Sequence, residues 1–166
     1  MKVRQLELND LVQESLLFLQ KDYQSKEELF EDVYQSTFKQ GLVREDFLQR
    51  VQAREEEYPT GIQLETIGAA IPHTDSECVL HEFVAIITNK KPIEFQRMDD
   101  KNQTTQAKII FLLGLNQPHT QLSMLQTLMG LMQNQTHLDR LLNSTEKKEV
   151  IDYIAELNNK EEEKSS

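Results

Sequence analysis

The stretch Ile67-Gly68-Ala69-Ala70-Ile71-Pro72-His73-Thr74 carries an apolar strand directly into a Pro-His pair. Because Pro72 has no N–H to donate and keeps the preceding residue extended, the strand is predicted to end here. His73 should then project at the carboxyl end of the strand, and ligands usually bind at that edge of an open α/β sheet. The residues alone leave open the alternative that His73 is a surface histidine in a turn.

Three further apolar runs follow this strand, each bounded by turn residues and rich in β-branched or aromatic side chains. They are Phe83–Ile87, Ile93–Phe95 and Ile109–Leu113. Their length and composition predict buried strands, with 89–92 (NKKP) as a tight connection between the first two. Leu16–Gln20 is predicted to be either another strand or the end of a helix.

Amphipathic helices are predicted on both sides of this strand region. Ser25 and Glu28 have the spacing of a capping box, and Gly41 can end the helix that begins there. A second helix covers Glu45–Glu57. After the strands, Leu122, Leu125, Met129 and Met132 form an apolar stripe, with Thr120 as the expected N-cap. A short helix that begins at Thr136 and a last helix opened by Ser144 follow. Helices, then strands, then helices predict an α/β layered sandwich in which helices flank a mixed sheet.

Length and composition limit the possible classes of protein. A chain of 166 residues with 38% apolar residues fits one domain, expected over 1–158, followed by a disordered polar tail at 159–166. The net charge of −10, from 28 acidic and 18 scattered basic residues, argues against nucleic-acid binding. No apolar run is long enough to cross a bilayer, no signal sequence is visible, and Cys78 is the only cysteine. A cytoplasmic protein is therefore expected.

The usual signatures of nucleotide-binding and metal sites are missing from the chain. It has no Gly-x-Gly-x-x-Gly, no phosphate-binding loop and no Gly-x-Ser-x-Gly. Its four histidines lack the spacing of metal ligands. The sequence thus predicts neither a cofactor nor a metal, and His81, His119 and His137 are interpreted as structural or surface residues.

Several collinear motifs resemble one protein family from Gly41 to about Leu142. Ile67–His73 is similar, with slight variation, to the Gly-x-x-(aliphatic)-Ala-(aliphatic)-Pro-His signature of the IIA domains of the sugar phosphotransferase system, fructose–mannitol class. The accompanying motifs are Arg54-Glu55, Tyr58-Pro59-Thr60-Gly61-Ile62, Lys91–Phe95 with Met98-Asp99, Phe111–Leu113, and the helix with Gln121, Leu122, Leu125 and Leu128. The 58–62 segment resembles the galactitol-type members in particular.

This resemblance implies a type-2 IIA fold and a phosphotransferase activity that proceeds through phosphohistidine. The phosphocarrier HPr would donate a phosphoryl group to His73, and a IIB component would accept it, so that a sugar is phosphorylated as it crosses the membrane IIC component. Galactitol is the first choice of sugar. A neutral imidazole nitrogen suits this chemistry because histidine titrates near neutral pH.

Within the resemblance, four residues are predicted to stabilise the phosphoryl group. Arg54 offers a planar fork of donors that fits phosphate oxygens, and Thr60 and Thr74 offer hydroxyl groups. Gln121 stands where fructose- and mannitol-type members commonly have a second histidine, and it would be a neutral donor. Thr74 replaces the usual Gly after the active histidine. His119 could take the second-histidine role.

Two other interpretations stay open. Glu55 is expected to be an exposed helix residue, although it could orient Arg54 or His73. The resemblance to IIA domains also allows a regulatory module, whose phosphorylation controls binding to other proteins. A catalytically silent α/β binding domain is the third possibility. Ile62 and Leu64 are the predicted docking patch for HPr and IIB.

Overall fold

The computed structural model describes residues 7–165, with side chains over 7–158. One mixed sheet of five strands has the order β1-β4-β5-β3-β2. The strands are β1 (Leu17–Lys21), β2 (Gly61–Gln63), β3 (Gly68–Ala70), β4 (Phe83–Gln96) and β5 (Thr104–Gly114). The helices are α1 (Leu8–Leu11), α2 (Lys26–Lys39), α3 (Phe47–Glu57), α4 (Pro118–Met132), α5 (Gln135–Asn143) and α6 (Lys147–Ser165). The predicted polar tail at 159–166 stays a prediction, because those side chains lie outside the described part.

Helices cover both faces of the sheet, which confirms the predicted layered α/β architecture. Successive residues of β5 alternate between the two cores, with Ile109 and Phe111 on one side and Ile110 and Leu112 on the other. The first core is completed by α1, α4, α5 and α6, and the second by α2 and α3. All four of these β5 side chains are 0% exposed, so the strand is buried on both faces, as its continuous apolar run predicts.

Strand directions bring several loops to one edge of the sheet. β3 and β5 are parallel, so the segments that leave their carboxyl ends, His73 and the start of α4, lie at the same edge. β4 is antiparallel to β5, and β2 is antiparallel to β3. The residues that precede β2, at the end of α3, therefore also lie beside the end of β3.

Helix α2 has the predicted boundaries. The Ser25 hydroxyl accepts from the Glu28 N–H at 3.2 Å, which caps the helix. The Glu28 carboxylate accepts from the N–H of Gln24 rather than from that of Ser25. Gly41 follows the helix at φ 76°, a conformation that glycine adopts without steric cost, and it ends the helix as expected.

The predicted turn at 89–92 is wrong: Phe83–Gln96 is one strand that is interrupted by a shift of register between Thr88 and Ile93. Asn89 is 4% exposed, and its side chain stabilises the backbone at this register shift. Its amide donates to the carbonyls of Tyr23 at 2.9 Å and Lys91 at 2.8 Å, and its oxygen accepts from the Tyr23 N–H. A bulge with its polar groups satisfied by a side chain has the same local composition as a turn.

The start of α4 also differs from its prediction. Gln117 is the N-cap and Pro118 is the first helical residue, a position that suits a residue without an N–H, whereas Thr120 is 3% exposed inside the helix. The buried stripe of α4 contains Met124, Leu128, Leu131 and Met132, while Leu122 is 60% exposed. The short strand β2 was not predicted, because a three-residue strand carries no periodicity.

Candidate active site

His73 lies just past β3, at the position that the Pro-His motif predicts. Ile71 and Pro72 are buried, and the Pro72 carbonyl accepts from the Leu113 N–H at 2.9 Å. This contact, together with the bridge between His73 and Leu113, keeps the chain against β5 after the regular strand has ended. His73 is half-buried, so its ring is held by the sheet edge and still reaches solvent.

The His73 ring has one defined hydrogen bond. Its Nδ1 lies 2.9 Å from the carbonyl oxygen of Ile71, two residues back. Because a carbonyl can only accept, Nδ1 carries a proton, and in the neutral ring Nε2 then has the lone pair. The sequence could not identify this partner, since the contact depends on how the backbone turns at Pro72. A neutral imidazole in this tautomer can act as a nucleophile through Nε2.

Arg54, on the last turn of α3, is poorly paired. Its guanidinium lies 4.6 Å from the centre of the Tyr58 ring and 4.0 Å from the Asp75 carboxylate, and its side chain is 41% exposed. By contrast Arg50, one turn earlier, contacts Asp46 at 2.6 Å and Asp75 at 3.2 Å. Arg54 is therefore the more weakly paired of these two arginines, and its guanidinium is available to an anion.

Thr74 has a buried hydroxyl without a partner. The residue is 8% exposed, and its Oγ1 makes no hydrogen bond to any other residue in the described part of the chain. Buried polar groups are nearly always paired, and leaving one unpaired costs about 1–3 kcal/mol. The Thr74 hydroxyl therefore keeps an unused capacity to donate or accept a hydrogen bond.

Thr60 and Glu55 form a buried pair at the start of β2. The Glu55 carboxylate accepts from the Thr60 N–H at 2.7 Å and from the Thr60 hydroxyl at 2.6 Å. The backbone carbonyl of Thr60 accepts from the Ile71 N–H at 3.4 Å, and this contact joins the pair to the segment that leads to His73. The expectation of an exposed Glu55 is wrong, since it is 3% exposed. The Thr60 hydroxyl directs its proton to Glu55 in this structure.

Burial raises the pKa of Glu55 to about 7, although the two hydrogen bonds from Thr60 and the charge of Lys26 act in the opposite direction. The folded-state pKa thus exceeds the ordinary value of 4.5. Between these values the folded protein binds a proton that the unfolded chain lacks, so the stability contribution is complete below about pH 4.5 and is lost as pH rises through about 7.

We expect Glu55→Gln to remove this pH dependence. The amide can accept from the Thr60 N–H and donate to the Thr60 hydroxyl, so both contacts survive without a buried charge. Between pH 5 and 8 the parent should lose about 2–3 kcal/mol of unfolding free energy relative to the variant. Urea denaturation at both pH values measures this. Glu56→Gln, at the exposed neighbouring position, is the control, and equal pH slopes for the parent and Glu55→Gln would contradict the assignment.

The start of α4 lies at the same edge of the sheet as His73. Gln117 makes no side-chain cap, so the first N–H groups of the helix are not capped by that side chain, and a helix N-terminus attracts anions. Gln121 is half-buried in the first turn, and His119 is exposed. Gln121 and the helix terminus are therefore placed on the side of the sheet where His73 emerges.

The remaining histidines lie in other surroundings. His81 is exposed, and His137 contacts the Tyr153 hydroxyl at 2.6 Å between α5 and α6. The described residues contain no group of three or more His, Cys, Asp or Glu side chains that could hold a metal ion. Nor is any described helix long and apolar enough to span a membrane.

Comparisons with known proteins agree with this architecture. Residues 10–157 match the family described as "Phosphoenolpyruvate-dependent sugar phosphotransferase system, EIIA 2". The galactitol-specific EIIA component of Escherichia coli strain K12 is 32% identical over 106 residues, which are 64% of this chain and 70% of that protein.

Two solved structures show the same fold. One is the complex of enzyme IIA and phosphorylated enzyme IIB for mannitol from Escherichia coli, with a TM-score of 0.70 and 21% identity over 87% of this chain and 96% of that one. The other is the nitrogen regulatory protein IIA-Ntr from Neisseria meningitidis, with a TM-score of 0.69 and 21% identity over 88% and 97% of the two chains.

The five-stranded mixed sheet and the match to the family model define a IIA-type phosphotransferase domain. The chain belongs to the EIIA 2 family of the phosphoenolpyruvate-dependent sugar phosphotransferase system.

Proposed function

We propose that this chain relays a phosphoryl group on His73, which it accepts from HPr and passes to a IIB component for the uptake of galactitol or a related polyol. The observation that carries this proposal is the hydrogen bond from His73 Nδ1 to the Ile71 carbonyl, because it leaves Nε2 as a free nucleophile at the sheet edge. The galactitol assignment follows the 32% identity to the galactitol-specific component.

The transfer step is a displacement at phosphorus. The lone pair of His73 Nε2 attacks as the N–P bond of the donor breaks, while Nδ1 keeps its proton and continues to donate to the Ile71 carbonyl. Such a transfer needs correct positioning and stabilisation of the charge on the phosphoryl oxygens. We assign that stabilisation to the Arg54 guanidinium, the unpartnered Thr74 hydroxyl and the Gln121 amide. Thr60, whose proton goes to Glu55, holds the start of β2 beside Ile71.

Exposed apolar side chains next to Arg54 and Gln121 could contact two protein partners in turn. Tyr58 is 55% exposed beside Arg54, and Leu122 is 60% exposed beside Gln121. Ile62 and Leu64, the predicted docking residues, are half-buried and pack against the core. We therefore place docking of HPr and IIB on Tyr58 and Leu122. Under the same proposal the protein is cytoplasmic, and residues 1–158 form its single domain. A membrane IIC component is then its indirect partner.

Transfer between purified components tests this function. The chain should take up one phosphoryl group from phosphoenolpyruvate through Enzyme I and HPr, and galactitol-type IIB should discharge it faster than mannitol-type IIB. Faster discharge by the mannitol-type protein would refute the galactitol assignment. Uptake without discharge to either IIB would favour the regulatory alternative, in which phosphorylation controls binding to other proteins. That alternative is kept because the fold is similar to that of the nitrogen regulatory protein IIA-Ntr.

A further inference from the structure

We propose that Asp75 is a positioning residue that competes with the phosphoryl group for Arg54, and so sets how readily phosphorylated His73 gives up its phosphoryl group. This inference rests on the proposed relay through His73. It assigns a role to a carboxylate that neither the motif nor the comparisons single out.

Asp75 lies two residues after His73 and faces α3. One of its carboxylate oxygens lies 3.2 Å from Arg50, and the other lies 4.0 Å from Arg54. The backbone carbonyl of Asp75 accepts from the N–H of Cys78, and this hydrogen bond closes the turn that follows Asp75. The carboxylate is thus held between two arginines on consecutive turns of one helix.

The two arginines differ in the number and length of their ion pairs with carboxylates. Arg50 contacts three carboxylates, those of Asp46 at 2.6 Å, Asp75 at 3.2 Å and Glu77 at 3.6 Å. The Arg54 contact to Asp75 is at the outer limit for an ion pair. An incoming anion can therefore draw Arg54 away while Arg50 keeps the Asp75 loop in place.

Phosphorylation changes the charge balance around Arg54. The N–P bond at Nε2 forms as the donor's N–P bond breaks, and the Nδ1 proton stays in place, so the site gains the negative charge of the phosphoryl oxygens. Arg54 then binds the new anion, so Asp75 loses one of its two cations while a negative charge is added at His73, two residues away. This repulsion raises the free energy of the phosphorylated form and favours onward transfer.

The equilibrium between phosphorylated HPr and this chain tests the idea. Asp75→Asn should shift that equilibrium toward the phosphorylated chain by about 3–10-fold, since the groups are partly exposed and screened. Discharge to IIB should slow by a similar factor. Both changes should shrink in about 0.5 M salt, because screening weakens the repulsion between the two anions.

Two control variants separate charge from structure. Glu77→Gln removes a carboxylate that is 79% exposed and contacts Arg50 at 3.6 Å, and it should leave the equilibrium unchanged. Asp75→Glu keeps the charge and should stay close to the parent. Thermal denaturation shows whether each variant is folded.

The inference is overturned if Asp75→Asn has the parent's equilibrium, if Glu77→Gln shifts it equally, or if the shift is insensitive to salt. These outcomes leave the relay itself intact, provided that the parent is phosphorylated on His73. A parent that takes up no phosphoryl group would overturn the proposed function, and this inference with it.

Discussion

Replacing His73 by alanine is expected to abolish phosphoryl uptake from HPr, because the variant lacks the Nε2 atom that forms the N–P bond. Incubation with phosphoenolpyruvate, Enzyme I and HPr, followed by detection of an acid-labile phosphoryl group, measures this. The parent should carry one such group, and NMR of its phosphohistidine should place it on Nε2, since Nδ1 donates to the Ile71 carbonyl.

His81→Ala is the matched control for this experiment. His81 is an exposed histidine before β4 with no predicted role in the site. We expect its variant to label to the same extent as the parent. Labelling of His73→Ala, or a phosphoryl group on Nδ1 in the parent, would show that the geometry of the His73 ring has been assigned the wrong role.

Replacing Arg54 by methionine should slow phosphoryl transfer to and from His73 by about 10²-fold, because one preorganised donor for the phosphoryl oxygens is lost. Arg54→Lys should recover only part of this rate, since an ammonium group cannot form two parallel hydrogen bonds. Rapid-quench measurement of single-turnover transfer from HPr reports the rate. The extent of labelling after long incubation should stay well above that of His73→Ala.

Arg140 provides a control with similar local chemistry. Its guanidinium lies 5.2 Å from the centre of the Tyr153 ring, much as Arg54 lies 4.6 Å from that of Tyr58, but it belongs to α5. Arg140→Met should transfer at the parent's rate. If both methionine variants slow transfer equally, the effect reflects a general loss of an arginine–tyrosine contact rather than stabilisation of the phosphoryl group.

Local sequence was sufficient where a capping residue, a glycine or a proline sets the end of a helix or strand. The Ser25 cap and the glycine at position 41 set the ends of α2 through contacts within a few residues. Pro72 ends the strand before His73 because of its own ring. Where two structures share one local composition, as for the bulge at Asn89, the sequence predicted the wrong one.

The sequence by itself thus determined the class of fold, the strand that leads into Pro72-His73, and the family to which the chain belongs. Only the tertiary structure decided that the Ile71 carbonyl fixes the His73 tautomer, that Glu55 is buried under Thr60, and that Asp75 lies between Arg50 and Arg54. The physical reason is that these contacts depend on the path of the backbone at Pro72, which β5 holds through Leu113, and on how α3 packs beside the end of β3. Hydrogen bonds and ion pairs act over 3–4 Å, and packing between distant segments determines which groups come that close.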